Sequence, residues 1–420
     1  MKHLLNLLAA IALLVWGAHM VRNGVLRVFG AKLRDWLAHS MKSRLSAALS
    51  GLGVTALVQS STATALMTSA FVGQGLITLP SALAVMRGAD VGTALMAVLF
   101  SADLSWLSPL FIFVGVVLFI SRQDATPGRV GRVLIGLGLM LLALQLVVAA
   151  TEPLLESPAV RTLLASVTSD IFMELLLGAT LAVLAYSSLA VVLLIAAMAS
   201  SGAIPMEVAL GLTLGANLGS GLVAVLSTLK SSTEVRQVTI GNMLFKLMGV
   251  AIAAPCLGLW MAHVQPLIGH RGQGVVLFHL AFNIFNSLCF IGLIETVARW
   301  VTALSPKPEA NAASRLRPRH LDASALSTPS LAISCAAREA LHQADIVESM
   351  LIGIRQVLDS DDLKLSQELR GLDDTVDELY SAIKYYMTKI SRSELDEREG
   401  QRWTEIISFT INMEQIGDII

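Results

Sequence analysis

The chain has 420 residues, of which 55% are hydrophobic and only 15% charged, well below the roughly 25% charged residues of soluble domains. A soluble protein of this length could not bury so much apolar surface, so the composition excludes an ordinary soluble globular protein and indicates a membrane protein. Residues 330–420 hold 18 acidic and 9 basic residues, which leaves 13 acidic and 21 basic residues for the rest. We therefore expect an apolar, mildly basic front and an acidic tail.

Seven apolar runs are long enough to cross the roughly 30 Å of hydrocarbon in a bilayer. They cover residues 4–21, 78–100, 106–121, 132–150, 203–227, 238–260 and 275–298. The first run lacks a small-residue cleavage site, so we interpret it as a retained helix and not as a signal peptide. Two further apolar stretches, residues 46–73 and 172–200, carry polar clusters at their centres.

The basic loops indicate whether residues 46–73 cross the membrane, because cytoplasmic loops are enriched in Lys and Arg. If this stretch enters and returns to the same side, the loop with Arg122, Arg129 and Arg132 is cytoplasmic. If it crosses, that loop faces outward, against the rule. We therefore predict a re-entrant hairpin, a periplasmic N-terminus and a cytoplasmic tail.

The two halves of this region align without a gap, at the single offset that separates Gly51 from Gly178. The further matched pairs are Ser60-Ser61 with Ser187-Ser188, Gly75 with Gly202, Gly88 with Gly215, Asp90 with Asn217, Gly92 with Gly219 and Thr93 with Ser220. Three crossings per half is an odd number, so the second half is inverted relative to the first. Inverted repeats with broken helices that meet near the midplane are the architecture of secondary transporters.

The predicted fold is therefore an all-α membrane protein with two inverted repeats, each with a re-entrant helical hairpin and a broken helix, plus a cytoplasmic helical bundle. Residues 1–302 form the transporter domain, with repeats at about 4–121 and 131–260 and an extra helix at 275–298. A linker rich in Pro and Arg follows at 303–330. Residues 331–420 read as three amphipathic helices, at 331–358, 362–390 and 395–420.

The polar clusters of the two hairpins are the first candidate site. Small and hydroxylated residues are tolerated in hydrocarbon where unwound backbone lines a cavity enclosed by protein. There, N–H groups at the start of a half-helix bind an anion, while carbonyl and hydroxyl oxygens bind a cation. The alternative is close helix packing, but the recurrence in both halves favours a ligand site. The predicted substrate-binding residues are Gln59, Ser60, Ser61, Thr62, Ser187 and Ser188.

A second polar cluster follows each hairpin, and its oxygen atoms suit a hard cation. The predicted ion-binding residues are Asp90, Thr93, Asn217 and Ser220. Arg87 lies three residues before Asp90, so it either neutralises that carboxylate or contacts an anion. Lys246 lies early in a later span and is expected to extend towards the cytoplasmic face. His279, beside Asn283, fits a hydrogen bond between helices better than a proton gate.

The sequence has no catalytic motif, such as GxSxG, HExxH, a Walker A lysine motif or CxxC. Its three cysteines, Cys256, Cys289 and Cys335, are too scattered for a disulfide framework or a zinc site. We therefore expect neither an enzyme nor an ATP-driven pump, and no cofactor.

These motifs resemble the type II sodium/phosphate cotransporter family over about residues 4–300. The matching segments are Thr55-Ala-Leu-x-Gln59-Ser60-Ser61-Thr62, Gly75-Leu-Ile, Gly88-Ala-Asp-Val-Gly92-Thr93 and Phe278-His279-x-x-Phe282-Asn283. The resemblance implies that the hairpins shape phosphate and sodium sites. Five positions depart from the family's pattern: Thr62 and Leu189 replace serines, Tyr186 replaces a glutamine, and Asp90 and Lys246 replace asparagines.

The tail resembles a PhoU-type domain, an acidic helical bundle commonly fused to bacterial members of the family. The segments that carry this resemblance are Leu369-Arg-Gly-Leu-Asp373-Asp374-x-x-Asp377 and Asn412-Met-Glu414-Gln-Ile-Gly417-Asp418. The family's bundle usually has a second half of three helices, so we expect this domain to be incomplete. Its acidic rows either hold a divalent metal or form a solvated face; the apolar stripe of Leu363, Leu369, Leu372, Val376, Leu379 and Ile383 is expected to be core.

The predicted function is ion-coupled, sodium-dependent transport of inorganic phosphate across the bacterial inner membrane by alternating access, with a cytoplasmic regulatory domain. Phosphate, sodium and the lipid bilayer are the expected partners; a homodimer is left open, and nucleic acid is not expected. The alternatives are transport of another small anion and a membrane phosphate sensor that does not transport. The sequence leaves the direction of transport open, and also the choice between sodium and proton.

Overall fold

The structure is a computed structural model that describes residues 2–39, 43–73, 75–102, 104, 106–121, 126–155, 170–305, 318–322, 325–326, 329–360, 363–391, 395 and 397–420. These residues form helices, turns and short connections, with no β-strand among them. Their Cα positions divide the chain into two compact units. Unit 1 comprises residues 1–72, 76–229 and 234–304, and unit 2 comprises residues 73–75, 230–233 and 305–420.

Twelve helices lie in the membrane part of the described chain. In order they are α1 (Lys2–His39), α2 (Arg44–Val58), α3 (Ser61–Gly73), α4 (Leu79–Ser101), α5 (Leu107–Ser121), α6 (Thr126–Leu155), α7 (Ile171–Ala185), α8 (Ser188–Ser200), α9 (Met206–Thr228), α10 (Thr233–Ala253), α11 (Arg271–Phe290) and α12 (Ile294–Leu304). Short 3₁₀, α and π turns continue α10 from Ala254–Cys256 to Gln265–Leu267.

Six helical stretches of the described chain are long and apolar enough to cross a membrane. They are His3–Phe29, Leu79–Ser101, Pro127–Ala150, Met206–Thr228, Thr233–Leu267 and Arg271–Leu304. The chain is therefore a helical membrane protein, and six of the seven predicted spans coincide with these stretches. The seventh, 106–121, is α5, which has 15 residues; at about 1.5 Å per residue it is about 22 Å long, less than a bilayer core of about 30 Å.

The same helical break occurs once in each half of the membrane unit. Helix α2 ends at Gln59 (φ 58°) and α7 ends at Tyr186 (φ 51°), the two non-glycine residues with positive φ in the described chain. A left-handed residue ends a helix, and for a non-glycine residue it costs about 1–2 kcal/mol. Helices α3 and α8 follow, with 13 residues each. The bounds of α2, α3 and α4 recur in α7, α8 and α9 at the offset that the sequence repeat has.

Paired glycines explain how closely the first arm of each break packs on the following long helix. A Cβ added at Gly51 of α2 would lie 2.0 Å from the carbonyl oxygen of Val85 in α4. A Cβ at Gly178 of α7 would lie 2.1 Å from the carbonyl oxygen of Leu212 in α9. Only glycine permits such an approach of two backbones, so α2 with α4, and α7 with α9, form tightly packed pairs.

Unit 2 contains the three helices predicted for the tail: α13 (Pro329–Ser360), α14 (Leu363–Ser391) and α15 (Glu397–Ile419). Of the predicted stripe, Leu369, Val376, Leu379 and Ile383 are buried, and Leu372 is partly buried against the core. Leu363 is the first residue of α14 and is 77% exposed. The prediction that it belongs to the core was therefore wrong.

A buried glutamine joins the three helices of this bundle. The Gln343 amide nitrogen donates to the carbonyl oxygens of Val376 (3.5 Å) and Thr410 (3.3 Å). Its side-chain oxygen accepts a hydrogen bond from the Thr410 hydroxyl. Because each of the three helices supplies one residue to this network, it fixes their packing.

A short segment before the bundle is held against it by hydrogen bonds to the backbone. The Glu339 carboxylate accepts from the N–H groups of Arg319 (2.9 Å) and His320 (2.5 Å). The Tyr386 hydroxyl donates to the carbonyl oxygen of Asp322 at 2.6 Å. Burial, with the nearby positive charge of Arg338, lowers the pKa of His320 from 6.5 to about 4.

Candidate functional site

The two helical breaks of the membrane unit line one cavity of about 650 Å³. Gln59 and Ser60 line it from the first break, and Tyr186 and Ser187 from the second. Helix α1 closes another side with mostly apolar residues and with Arg22. Residues that are far apart in the sequence, at corresponding positions of the two repeats, therefore face the same space.

The leading serine of each pair caps the helix that follows it. The Ser60 hydroxyl oxygen accepts from the N–H of Ala63, and that of Ser187 from the N–H of Ala190, both at 3.2 Å. This arrangement orders the first turns of α3 and α8. A hydroxyl that accepts in this way keeps its own hydrogen as a donor for a ligand.

The N-terminal ends of α3 and α8 reach this cavity through their capping residues, Ser60 and Ser187. The first N–H groups of a helix have no partner within the helix, and the helix dipole adds about half a positive charge at this end. Helix N-termini are therefore ready-made anion sites. Here two of them face one cavity, so an oxyanion between Ser60 and Ser187 gains from both.

Arg22 adds a full positive charge to this cavity, a role that the sequence did not lead us to predict. Its guanidinium carbon lies 5.3 Å from the ring centroid of Tyr186, and its Nη2 lies 2.6 Å from Nδ1 of His19. In the sequence, Arg22 is one of several basic residues that follow the first apolar run, and these residues led only to the prediction of a cytoplasmic side. The available signal was its position inside the apolar stretch His3–Phe29, where a charge is by default functional.

Half of the predicted substrate residues line the cavity, and half do not. Gln59, Ser60 and Ser187 do, and the side-chain oxygen of Gln59 is buried without a hydrogen-bond partner in the described chain. Ser61, Thr62 and Ser188 are buried within α3 and α8 and are not among the lining residues. The Tyr186 hydroxyl lies 2.9 Å from the Ser227 hydroxyl, which ties the second break to α9.

The second predicted cluster contains a buried three-residue ion network. Asp90 Oδ2 accepts from Arg87 Nη2 at 3.1 Å, and Asp90 Oδ1 accepts from Lys246 Nζ at 2.7 Å. The side chains of all three residues are at most 3% exposed. Of the two alternatives for Arg87, the structure shows the pairing with Asp90. The predicted extension of Lys246 towards the cytoplasmic face is wrong, because its ammonium group bonds to the buried carboxylate of Asp90.

The other predicted ion-binding residues form hydrogen bonds to neutral groups. The Asn217 side-chain oxygen accepts from the Asn283 amide at 3.2 Å. The hydroxyls of Thr93 and Ser220 donate within their own helices, to the carbonyl oxygens of Ala89 (3.2 Å) and Asn217 (2.8 Å). Sequence analysis did not predict Asn242, whose side-chain oxygen accepts from Arg87.

Unit 2 holds one acidic group with the spacing of metal ligands among the described residues. One carboxylate oxygen from each of Asp377, Glu414 and Asp418 lies within 4.8 Å of the others. Oxygen ligands of this kind suit Ca²⁺ or Mg²⁺. Asp377 and Asp418 are exposed, and solvated carboxylates of this kind are common without an ion, so both interpretations of the acidic rows stay open.

Known protein families match both the membrane part and the tail of the chain. The family described as Na+/Pi-cotransporter matches residues 13–149 and 153–291, and the PhoU domain matches residues 341–420. A protein of Escherichia coli (strain K12) named "Putative inorganic phosphate export protein YjbB" is 46% identical over 421 aligned positions, which cover all of this chain and 77% of that protein. Its namesake in Salmonella typhimurium is 45% identical over the same share of each chain.

A more distant relative matches part of this chain. The protein of Bacillus subtilis (strain 168) named "Uncharacterized protein YqeW" is 22% identical over 303 positions, which cover 72% of this chain and 98% of the relative. No solved structure matches the chain. The matches of the family and of the full-length relatives show that the chain belongs to the Na+/Pi-cotransporter family, whose members are transporters and not enzymes, and that it carries a PhoU domain.

Proposed function

We propose that this protein carries inorganic phosphate across the bacterial inner membrane, with the anion bound between the two helical breaks. The observation that carries the proposal is the shared cavity, in which two helix N-termini and Arg22 surround one space. The membership of the Na+/Pi-cotransporter family supports phosphate as the substrate. The name of the E. coli relative supports an outward direction of transport.

The chemistry of the cavity suits a tetrahedral oxyanion with a remaining proton. The guanidinium of Arg22 offers two parallel N–H donors to two phosphate oxygens, and the capping serines add hydroxyl donors from both breaks. The buried side-chain oxygen of Gln59 has no partner in the described chain and requires a donor. Monohydrogen and dihydrogen phosphate supply an O–H group for it, whereas sulfate does not, so the cavity favours phosphate over sulfate.

Alternating access follows from the repeat if the two hairpins enter from opposite faces, as the charges of the loops predict. In this proposal the N-terminus is periplasmic and the PhoU domain is a cytoplasmic regulatory part. The paired packing of α2 with α4, and of α7 with α9, supports two similar bodies that rock around the fixed site. Sodium drives the cycle from a site at Asn217 and Ser220, since the Asp90 carboxylate is already bonded to two cationic side chains of the protein.

The test is flux of radiolabelled phosphate in proteoliposomes under imposed sodium, proton and phosphate gradients. We expect Arg22→Gln and Ser60→Ala to lower the flux by about 10-fold or more, because hydrogen bonds to a charged group contribute about 1.5–3 kcal/mol. The matched controls are Arg299→Gln, at an exposed arginine, and Ser121→Ala, at an exposed serine bonded within its own helix. Absence of flux under every gradient would refute the proposal.

Competition separates phosphate from other anions. Sulfate at tenfold excess should compete weakly with labelled phosphate for the unmodified protein. A tenfold excess offsets a difference in binding free energy of about 1.4 kcal/mol. Gln59→Leu removes the unpaired oxygen, so the preference for phosphate over sulfate should shrink in that variant. If sulfate competes equally well with the unmodified protein, transport of a broader class of anions is the better description.

A further inference from the structure

The carboxylate of Asp90 has both of its oxygens engaged by positively charged side chains of the protein. Lys246 Nζ lies 2.7 Å from Oδ1, and Arg87 Nη2 lies 3.1 Å from Oδ2. The guanidinium of Arg87 is held further by the side-chain oxygen of Asn242 and by the face of Phe245, whose ring centroid is 4.5 Å away. The three charged side chains are almost completely buried and together carry one net positive charge.

A sodium ion at this carboxylate would compete with the Lys246 ammonium for the same oxygen. Both carry one positive charge, and both bind a carboxylate through its lone pairs. A third cation beside Asp90 would be repelled by Arg87 and Lys246 in surroundings that screen charge poorly. The neighbouring Thr93 hydroxyl donates to the carbonyl oxygen of Ala89. The geometry therefore disagrees with a mobile cation at the predicted position.

The corresponding position of the second half carries an uncharged side chain. Asn217, the repeat equivalent of Asp90, bonds to the neutral amide of Asn283. The carboxylate of Asp90 and the ammonium of Lys246, 156 residues apart in the sequence, contact one another, so each compensates the charge of the other.

We propose that the ammonium of Lys246 is a tethered substitute for a transported cation in the first half of the protein. This inference rests on the proposed phosphate transport and refines its ion coupling. A cation that is part of the protein returns with it in every cycle and contributes no ion gradient to the work of transport. The carrier therefore moves one sodium ion fewer per phosphate than a carrier with mobile cations in both halves, and Asp90 binds no sodium while Lys246 is present.

Sodium-specific thermal stabilisation of the purified full chain tests this without measuring flux. A ligand that binds the folded state raises Tm, while potassium at the same ionic strength controls for salt. We expect Lys246→Met to gain a sodium-specific rise of about 2–4 °C or more, because Asp90 then accepts the free ion. The exposed Lys230 provides the control Lys230→Met, which should behave as the unmodified protein.

The double variant Asp90→Asn/Lys246→Asn removes both charges together and keeps the experiment decisive if Lys246→Met does not fold. We expect it to show the same sodium response as the unmodified protein, whatever the size of that response. The inference is overturned if the double variant loses a sodium response that the unmodified protein has, or if folded Lys246→Met gains none. Since the readout is sodium binding, these outcomes are distinct from a failure to transport phosphate.

Discussion

Replacement of Gly88 by alanine tests whether the close packing of α2 on α4 shapes the site. A Cβ at Gly88 would lie 1.7 Å from the carbonyl oxygen of Ala48, 2.5 Å from the carbonyl carbon of that residue and 2.9 Å from the backbone nitrogen of Leu52. All three atoms belong to the backbone, so no side-chain rotation relieves the overlap. An ordinary contact begins at 3.4 Å, so the two helices must separate by 1.7 Å (3.4 − 1.7) at this point.

Overpacking of a well-packed interface costs typically about 1–3 kcal/mol. Because two helix backbones must move apart here, we expect Gly88→Ala to lie at the upper end, at about 3 kcal/mol. The separation also displaces the end of α2 and with it Gln59, so phosphate flux should fall together with stability. The assays are the Tm of the purified protein in detergent and phosphate flux in proteoliposomes.

Two further glycines make the result interpretable. At Gly292 an added Cβ meets no atom within 4 Å, so Gly292→Ala should leave both Tm and flux unchanged. Gly215 is the equivalent of Gly88 in the second half, and its Cβ would lie 2.4 Å from the carbonyl oxygen of Leu175. We expect Gly215→Ala to be destabilising, but less than Gly88→Ala. A Gly88→Ala variant as stable as Gly292→Ala would refute the packing argument.

Three more predictions concern the first break and the tail. Gln59→Val should lower the free energy of unfolding by about 1–2 kcal/mol, because a β-branched residue is strained at positive φ. Gln59→Gly should keep the stability of the protein but lose its selectivity for phosphate. Tm measures the effect on stability, and flux with competing anions measures the effect on selectivity. Thr410→Val removes a partner of the buried Gln343 and should cost about 1–3 kcal/mol in thermal melts. As pH falls from 6.5 towards about 4, the unfolded chain protonates His320 before the folded chain does, so stability should fall in this window and His320→Gln should flatten the dependence.

Much of the helical architecture could be read from the sequence because it depends on local and periodic features. The apolar runs predicted six of the long helical stretches, and the amphipathic pattern of the tail predicted α13, α14 and α15 with ends shifted by a few residues. The repeat alignment made Gln59 the equivalent of Tyr186, and the structure breaks a helix at both. Glycine and serine carry such information because a close backbone contact and a helix cap each need a particular residue type.

The partners of the buried charges depend instead on how distant helices pack. From sequence, Asp90 had one visible partner, Arg87, because the two are three residues apart on one helix. Lys246 lies 156 residues from Asp90 and was expected at the membrane face, yet it contacts that carboxylate in the interior. Arg22 likewise lies at the cavity because α1 packs beside the two helical breaks. The sequence by itself determined the helices, their repeat and the residues that interrupt them; only the tertiary structure decided which charges meet, because a buried charge is stabilised by groups that folding brings near it.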